Sequence, residues 1–164
     1  MKTLLQSYAD YNRWANSLLL DAVAALPPDV QEAQHISSFA SLSQTALHLL
    51  DAESIWWQRL KLAEKIVRPS EGFSGDFRAV ADALRKQDRT WLDWLSETSE
   101  KMLQHEFIYY NSKKEPCKNA VWQMLLHLFN HSTFHRGQLI TLLRQSGVTK
   151  LPETDYLAWC RKKG

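Results

Sequence analysis

The chain has 164 residues, of which 45% are hydrophobic and 23% are charged, and its formal net charge is +2. This length suffices for one domain, residues 1–164, with a substantial core, and the composition is typical of a soluble globular protein. A charge this close to neutral, with acids and bases interspersed, argues against nucleic acid or a membrane surface as the main partner.

The N-terminal segment Met1–Asp10 lacks the apolar core and the small-residue cleavage site of a signal peptide. No uninterrupted apolar run reaches the roughly 18 residues that a membrane span needs. The two cysteines, Cys117 and Cys160, form no CxxC pattern. We expect two reduced thiols rather than a disulfide or a single zinc ligand, and therefore a cytoplasmic protein.

Apolar residues recur every three or four positions over Leu4–Ala25, which predicts a first long helix that ends before a pair of prolines. Residues 27–40 are predicted to form a loop with one short helical turn at Asp29–Ala33. A second helix is predicted over Ser41–Ile66, because Ser41-Leu-Ser-Gln44 fits a capping box.

A third helix is predicted over Asp76–Leu103, with Asp76 as its N-cap. Its stretch Arg85–Arg89 is entirely polar, so we expect the middle of this helix to be loosely packed. The short, β-branched and aromatic segment Glu106–Tyr110 predicts a strand, followed by a turn at Asn111–Glu115. Residues 116–118 then form either a return strand or the lead into the last helix.

A fourth helix is predicted from its cap Asn119 to Ser146, with Gly147 as the left-handed residue that follows it. The segment Tyr156–Trp159 is an amphipathic tail suited to docking on the helices. Four long helices, each with one apolar stripe, predict an all-α four-helix bundle. Its long connections predict at least one crossover, and a β-hairpin precedes the last long helix.

Four histidines lie on or beside the apolar faces of these helices: His48, His127, His131 and His135. Taken singly, each fits a buried histidine with a satisfied hydrogen bond. Together they favour a metal site, because one divalent ion satisfies several buried ring nitrogens at once. His127 and His135 are two turns apart, about 12 Å, so a shared ion must use His131 with only one of them. Spacing leaves that choice open and nominates His48 as the third ligand.

Three segments resemble a known family. His127–Gln138, with its HxxxHRGQ pattern, resembles the last-helix signature of the DinB-like superfamily, the DinB and YfiT-type proteins. Tyr11–Asn16 resembles the first helix of that family, and Leu47–Trp56 resembles the second. The resemblance covers essentially the whole chain, and the motifs occur in the expected order.

The resemblance implies a dimeric four-helix bundle that holds one divalent ion, Zn, Ni, Fe or Mn, through three histidines. Transferred by motif, the ligands are His48, His131 and His135, and His127 becomes a supporting residue. Family members include thiol-dependent S-transferases, a maleylpyruvate isomerase and metal-dependent hydrolases of the YfiT type. We therefore expect a metal-dependent enzyme that activates a thiol or water, with a low-molecular-weight thiol as a candidate co-substrate.

Five further residues are candidates for the surroundings of the site. Asp51 and Glu53 could orient a ligand histidine or act as a general base, although a solvated helix face explains them equally well. Arg136 and Asn130 are expected to make structural or dimer-interface hydrogen bonds more readily than to contact substrate. Trp56 is expected in the core or in a pocket wall.

Two competing hypotheses remain at the level of sequence. In the first, the ion only ties two helices together in a non-catalytic stress-response or interaction protein. The second, DNA binding, conflicts with the near-neutral charge and the absence of a basic stripe.

Overall fold

The computed structural model describes residues 1–111 and 113–163. Four long helices dominate it: α1 Lys2–Ala24, α3 Leu42–Leu60, α4 Phe77–Glu97 and α6 Val121–Gln145. The short helices are α2 Pro28–Glu32, α5 Glu100–Gln104 and α7 Tyr156–Lys163. A two-stranded sheet, β1 Glu106–Tyr110 and β2 Pro116–Ala120, precedes α6. The predicted all-α class with one small hairpin is confirmed.

The long helices form a bundle in which consecutive helices are not always neighbours. Helix α1 packs chiefly against α4 and α6, and α3 packs against the same two helices. The connection from α1 to α3 therefore crosses the bundle diagonally, which is the crossover predicted from the length of the loops.

The buried core has two apolar halves with a polar layer between them. One half contains, among others, Leu19, Leu20, Leu49, Leu84 and Leu139, and the other contains Leu5, Ala9, Trp91, Leu95 and Phe129. Between these positions along α1, α3, α4 and α6 lie the buried polar residues Asn12, Asn16, Glu53, Asp88 and Arg136. The four helices are thus held together by apolar packing at both ends and by hydrogen bonds in the middle.

Helix α3 begins as predicted but ends six residues early. The Ser41 side chain accepts a hydrogen bond from the backbone N–H of Gln44, while the Gln44 side chain accepts one from Ala40. The predicted end at Ile66 is wrong, because the chain leaves the helix after Leu60. The Gln58 side-chain amide pairs with both backbone groups of Val67 and pins this connection to the helix.

The third predicted helix is in fact two helices. Its N-cap Asp76 accepts from Ala79 as expected, but α4 ends at Glu97 and Thr98 is extended. Ser99 then caps α5 by accepting from the backbone N–H of Met102. The expectation of a loosely packed middle is also wrong, since Asp88 is buried among polar partners from other helices.

The predicted hairpin is present, with Glu106 opposite Ala120 and Tyr110 opposite Pro116. Within its predicted turn, Ser112 lies outside the described residues, as does the C-terminal Gly164. Asn119 belongs to β2 and is not the cap of α6. The N-cap is Ala120, whose backbone N–H donates to the Gln123 side chain.

The C-terminal segment follows its prediction. Gly147 has a φ of +86°, the left-handed conformation expected after a helix. Helix α7 docks on α1 through Trp159, which packs with Tyr11 and Ala15. Among the described residues, no helix combines the length and the apolar character that crossing a membrane would require.

Candidate metal centre

Helices α3 and α6 bring three histidine side chains to one point. Nε2 of His131 lies 3.3 Å from Nε2 of His48 and 3.1 Å from Nε2 of His135. One ring nitrogen from each histidine lies within 4.8 Å of the other two. Nitrogens bound to one tetrahedral ion at about 2.0–2.1 Å lie about 3.3 Å apart. The spacing therefore fits a single ion, and metal binding by these residues stays a prediction.

The chemistry of the three rings also fits an ion better than it fits hydrogen bonds. Nε2 of His131 carries either one proton or one lone pair, so it cannot satisfy both neighbouring nitrogens as donor and acceptor at once. Its Nδ1 is buried without a partner among the described residues. A divalent cation would accept a lone pair from all three imidazoles together.

A polar chain fixes the orientation of His135. Its Nδ1 lies 2.7 Å from Oε1 of Gln138, and Nε2 of Gln138 donates to the Ser38 hydroxyl at 2.9 Å. Because Gln138 offers its carbonyl oxygen, Nδ1 of His135 carries the ring proton and Nε2 presents its lone pair towards the other histidines. Such outer hydrogen bonds are typical of histidines that bind metals.

Burial keeps the three imidazoles neutral. It lowers the pKa of His48 and of His131 to about 4, with a further contribution from the neighbouring histidines. Burial also lowers the pKa of His135, although the hydrogen bond with Gln138 opposes the shift. Neutral imidazole is the form that binds metal, so near neutral pH the site needs no deprotonation.

The loop before α3 covers one side of the cluster. The Phe39 ring stacks on His48 with 4.1 Å between centroids and meets His135 edge-on at 5.6 Å. This contact fixes the plane of the His48 ring. Among the described residues, the ring forms a hydrogen bond with His131 alone. Phe39 was not singled out in the sequence.

On the other side, His48 and His131 line an open pocket of about 980 Å³ between α3, the hairpin and α6. His127 lies in its wall, with its ring 6.1 Å from that of His131 and edge-on to Trp56 at 5.3 Å. Trp56 is thus a wall residue, and His127 falls outside the group of three converging nitrogens. The centre has one side closed by Phe39 and one side open to a pocket large enough for a small molecule.

Asp51 lies beside His48 in this pocket, and its carboxylate is hydrogen-bonded to Ser70. Its two oxygens accept from the backbone N–H of Ser70 at 2.9 Å and from the Ser70 hydroxyl at 2.6 Å. Its charge raises the pKa of His48 against the dominant effect of burial. Asp51 therefore acts on the centre electrostatically while it anchors the 3₁₀ turn Pro69–Glu71.

Glu53 lies elsewhere, in the polar layer of the bundle. Its Oε1 accepts from Asn12 at 3.0 Å, and Asn16 donates to Asp88 at 3.1 Å. Arg136 donates to the side-chain oxygens of both asparagines. The guanidinium and the two carboxyls are thus linked through the asparagine amides rather than directly.

Two buried carboxyls share this layer with a single guanidinium. Burial raises the pKa of Glu53 well above its usual value, and the charge of Asp88 adds to the effect. Burial also raises the pKa of Asp88, opposed by its hydrogen bond with Asn16 and by the charge of Arg136. One carboxyl therefore keeps its proton, which leaves one negative and one positive charge in the layer.

Of the other candidates, Arg136 is buried in this layer and Asn130 is exposed on α6. Three members of the layer were missed in the sequence: Asn12, Asn16 and Asp88. Their signal was a spacing, because Asn12 and Asn16 stand one turn apart within an apolar stripe. Asp88 likewise continues the buried positions Leu84 and Trp91 at helical intervals.

Comparisons with known proteins identify the family of this chain. A model of the DinB family matches residues 1–162. Protein DinB of Bacillus subtilis (strain 168) is 26% identical over 156 residues, which cover 90% of this chain and 88% of that protein.

Two crystal structures share the fold. A DinB-like protein from Bacillus cereus ATCC 10987 superposes with a TM-score of 0.68 at 21% identity, covering 88% of this chain and 91% of that one. A DinB-like protein from Bacillus subtilis gives a TM-score of 0.68 at 18% identity, covering 93% and 97%. With a family match over nearly its whole length, the chain belongs to the DinB family.

Proposed function

We propose that this protein is a divalent-metal-dependent enzyme that activates a thiol or water, in the manner of a thiol S-transferase or a hydrolase. The observation that carries the proposal is the convergence of three neutral imidazole nitrogens at the end of an open pocket. Metal sites that serve only structure close their shell with four protein ligands, whereas three ligands leave a position for substrate.

In this proposal His48, His131 and His135 hold the ion, and Gln138 keeps the His135 ring in the binding orientation. When bound, a divalent ion lowers the pKa of a thiol or a water and stabilises the anion that results. Phe39 shields one side of the centre from water. The pocket supplies the space in which a low-molecular-weight thiol or a hydrolysable substrate would lie.

The metal site is tested by elemental analysis of protein purified without a metal-affinity tag. We expect about one divalent ion per chain, be it Zn, Ni, Fe or Mn. The variants His131→Ala and His135→Ala should lose it. His127→Ala is the matched control on the same helix and should keep it. Retention of the ion by either of the first two variants would refute the assignment.

Catalysis needs a separate test. The metal-loaded protein should conjugate an electrophile with bacillithiol, mycothiol, glutathione or coenzyme A, or should hydrolyse an amide, and His131→Ala should lose the activity. A full complement of metal with no metal-dependent rate in any of these assays would contradict the catalytic proposal.

One structural feature favours the non-catalytic alternative. The candidate ligands come from two helices, His48 from α3 and the other two from α6. An ion there would cross-link the bundle and raise its melting temperature by linkage. Metal-dependent stabilisation without turnover would support a stress-response or interaction protein.

We further propose a cytoplasmic homodimer that uses an exposed surface beside α6. On this surface Phe134 is 62% exposed, and the loop residue Ile36 is fully exposed. A Cβ added at Gly137 would meet nothing within 4 Å, so the chain's own fold leaves this surface uncovered. Sedimentation analysis should give a dimer that Phe134→Glu converts to a monomer. A monomeric wild type would contradict this part of the proposal.

A further inference from the structure

Arg59 occupies the pocket wall at a distance from His48. It follows His48 on α3 by eleven residues, about 16 Å along the helix axis, and both residues line the same pocket. Its guanidinium lies over the Trp56 ring at 4.6 Å and near the Tyr109 ring at 5.2 Å. It also donates to the backbone oxygen of Tyr110 at 3.0 Å. These contacts hold the guanidinium in one place while leaving other donors unused.

Arg59 has no acidic partner in the described part of the chain. No carboxylate oxygen lies within the 4.0 Å of an ion pair, and its remaining guanidinium donors make no hydrogen bond there. Burial nevertheless lowers the pKa of Arg59, since part of its hydration is lost. Its free donors are absent from the buried, unpaired polar atoms of the described residues, so they face the pocket and are available to an anion that enters it.

The charged side chains of the rest of the pocket balance one another, so Arg59 gives the pocket a net charge of +1. Its walls contain the cations Arg59, Arg68 and Lys114 against the acids Asp51 and Glu71. Asp51 is already engaged by Ser70, and the Arg68 side chain, like that of Arg59, forms no ion pair among the described residues. The field of the pocket therefore attracts anions, and a fixed guanidinium is suited to grip a planar or tetrahedral oxyanion in a bidentate manner.

We propose that Arg59 binds an anionic oxygen group of the ligand, a carboxylate or a phosphate, at the part of the pocket away from the three histidines. The apolar part of the ligand then lies against Trp56 and Tyr109, and its reactive group reaches the histidines. The proposal deepens the proposed function, because it assigns an acidic substrate or co-substrate to the same pocket. Only the role of the reactive group rests on that function.

The test uses small probes and metal-free protein, so that it does not depend on catalysis. Acetate, inorganic phosphate and the uncharged acetamide are titrated at constant ionic strength. Binding is followed through the indole N–H resonance of Trp56, assigned by its loss in Trp56→Phe. We expect saturable shifts with acetate or phosphate, and none with acetamide.

Variants assign the binding to Arg59. Arg59→Met keeps an apolar stem over Trp56 but should weaken anion binding about tenfold or more, the usual effect of losing a charge-assisted pair of hydrogen bonds. Arg59→Lys keeps the positive charge but lacks the planar guanidinium with its paired donors, so its anion affinity should lie between those of the wild type and Arg59→Met. Arg89→Met, an exposed position on α4 outside the pocket, is the control and should bind as wild type does. Melting temperatures check that each variant is folded.

The outcomes separate this proposal from the metal proposal. A response to acetate alone identifies a carboxylate site, and a response to phosphate alone identifies a phosphate site. No saturable shift, equal shifts with acetamide, or unchanged binding in a folded Arg59→Met variant would overturn the proposal, whatever the metal content. If the protein binds anions through Arg59 but has no affinity for metal, the anion-site proposal is upheld and the proposed function fails.

Discussion

Replacing the fully buried Glu53 with glutamine should make the protein more stable than the wild type at alkaline pH. In the polar layer, Glu53 and Asp88 share one counter-charge, Arg136, and burial keeps a proton on Glu53. Glutamine reproduces the shape and the hydrogen bonds of the protonated form: its amide oxygen can accept from Asn12 as Glu53 does. The variant therefore makes the same contacts without taking up a proton on folding.

The magnitude follows from linkage. In the unfolded chain Glu53 titrates near 4.5, and in the folded protein its pKa is raised. Between these values the folded state binds one proton more than the unfolded state, so the wild type loses stability as pH rises. One proton corresponds to about 1.4 kcal/mol per pH unit. The stability of Glu53→Gln relative to wild type should then grow at this rate as pH rises above 4.5, until Glu53 ionises in the folded protein.

Urea unfolding of both proteins across this range provides the measurement. Titrating groups remote from Glu53 cancel in the difference. Asp88 does not, because its charge acts on Glu53, so the difference reports the proton held by this pair of carboxyls. Glu97→Gln, an exposed position at the end of α4, is the matched control and should show no pH-dependent difference. A difference between Glu53→Gln and wild type that stays flat would mean that Glu53 is already ionised in the folded protein, which would refute the argument.

The number of charges in the polar layer also predicts that the effects of Glu53→Gln and Asp88→Asn on the free energy of unfolding are strongly non-additive. Asp88→Asn alone leaves Glu53 as the counter-charge of Arg136, and Glu53→Gln alone leaves Asp88. The double variant leaves the guanidinium buried without any anion, which costs about 3–5 kcal/mol. A double-mutant cycle in urea should show this coupling. Additive effects of the two substitutions would contradict it.

Four further predictions concern metal affinity and two glycines. Gln138→Leu should lower metal affinity about 10–100-fold, measured by competition with a chelator, because Nδ1 of His135 loses the acceptor that orients the ring. In the same chelator competition, metal affinity should hold as pH falls from 8 past the usual histidine value of 6.5, because burial lowers the pKa of all three ligands, to about 4 for His48 and His131. Gly147→Ala should cost about 1 kcal/mol in urea unfolding, since φ is +86° and no neighbour lies within 4 Å of the added carbon. The same substitution at Gly137, with equally open space in a helix interior, should instead stabilise by about 0.5–1 kcal/mol.

Much of the secondary structure could be predicted because its signals are local. The apolar stripe of α1, the Ser41 and Asp76 caps, the strand Glu106–Tyr110 and the glycine after α6 each depend on a few neighbouring residues. The family resemblance then selected one adjacent pair among the evenly spaced histidines of α6. In the structure the nitrogens of that pair and of His48 converge.

The two failures have different physical causes. Helix α3 ends early in a backbone cap, in which Leu62 is left-handed at a φ of 53° and the backbone N–H of Ala63 donates to the backbone oxygen of Gln58. The polar stretch of α4 looked loosely packed, yet Asp88 meets Asn16 from α1 there. The residues that flank Asp88 in the sequence do not indicate that it has such partners.

The sequence by itself determined that four long helical segments exist, because periodicity sets which side chains lie on one face, and its spacing limited a shared ion to His131 with one neighbour. The family resemblance, rather than the spacing, selected His135. Only the tertiary structure decided that Glu53 belongs to a buried polar layer while His48, five residues earlier, faces the pocket. It also placed Arg59 in that pocket without an acidic partner among the described residues. Burial, charge balance and free hydrogen-bond donors depend on which helices meet, and that is settled only when the bundle closes.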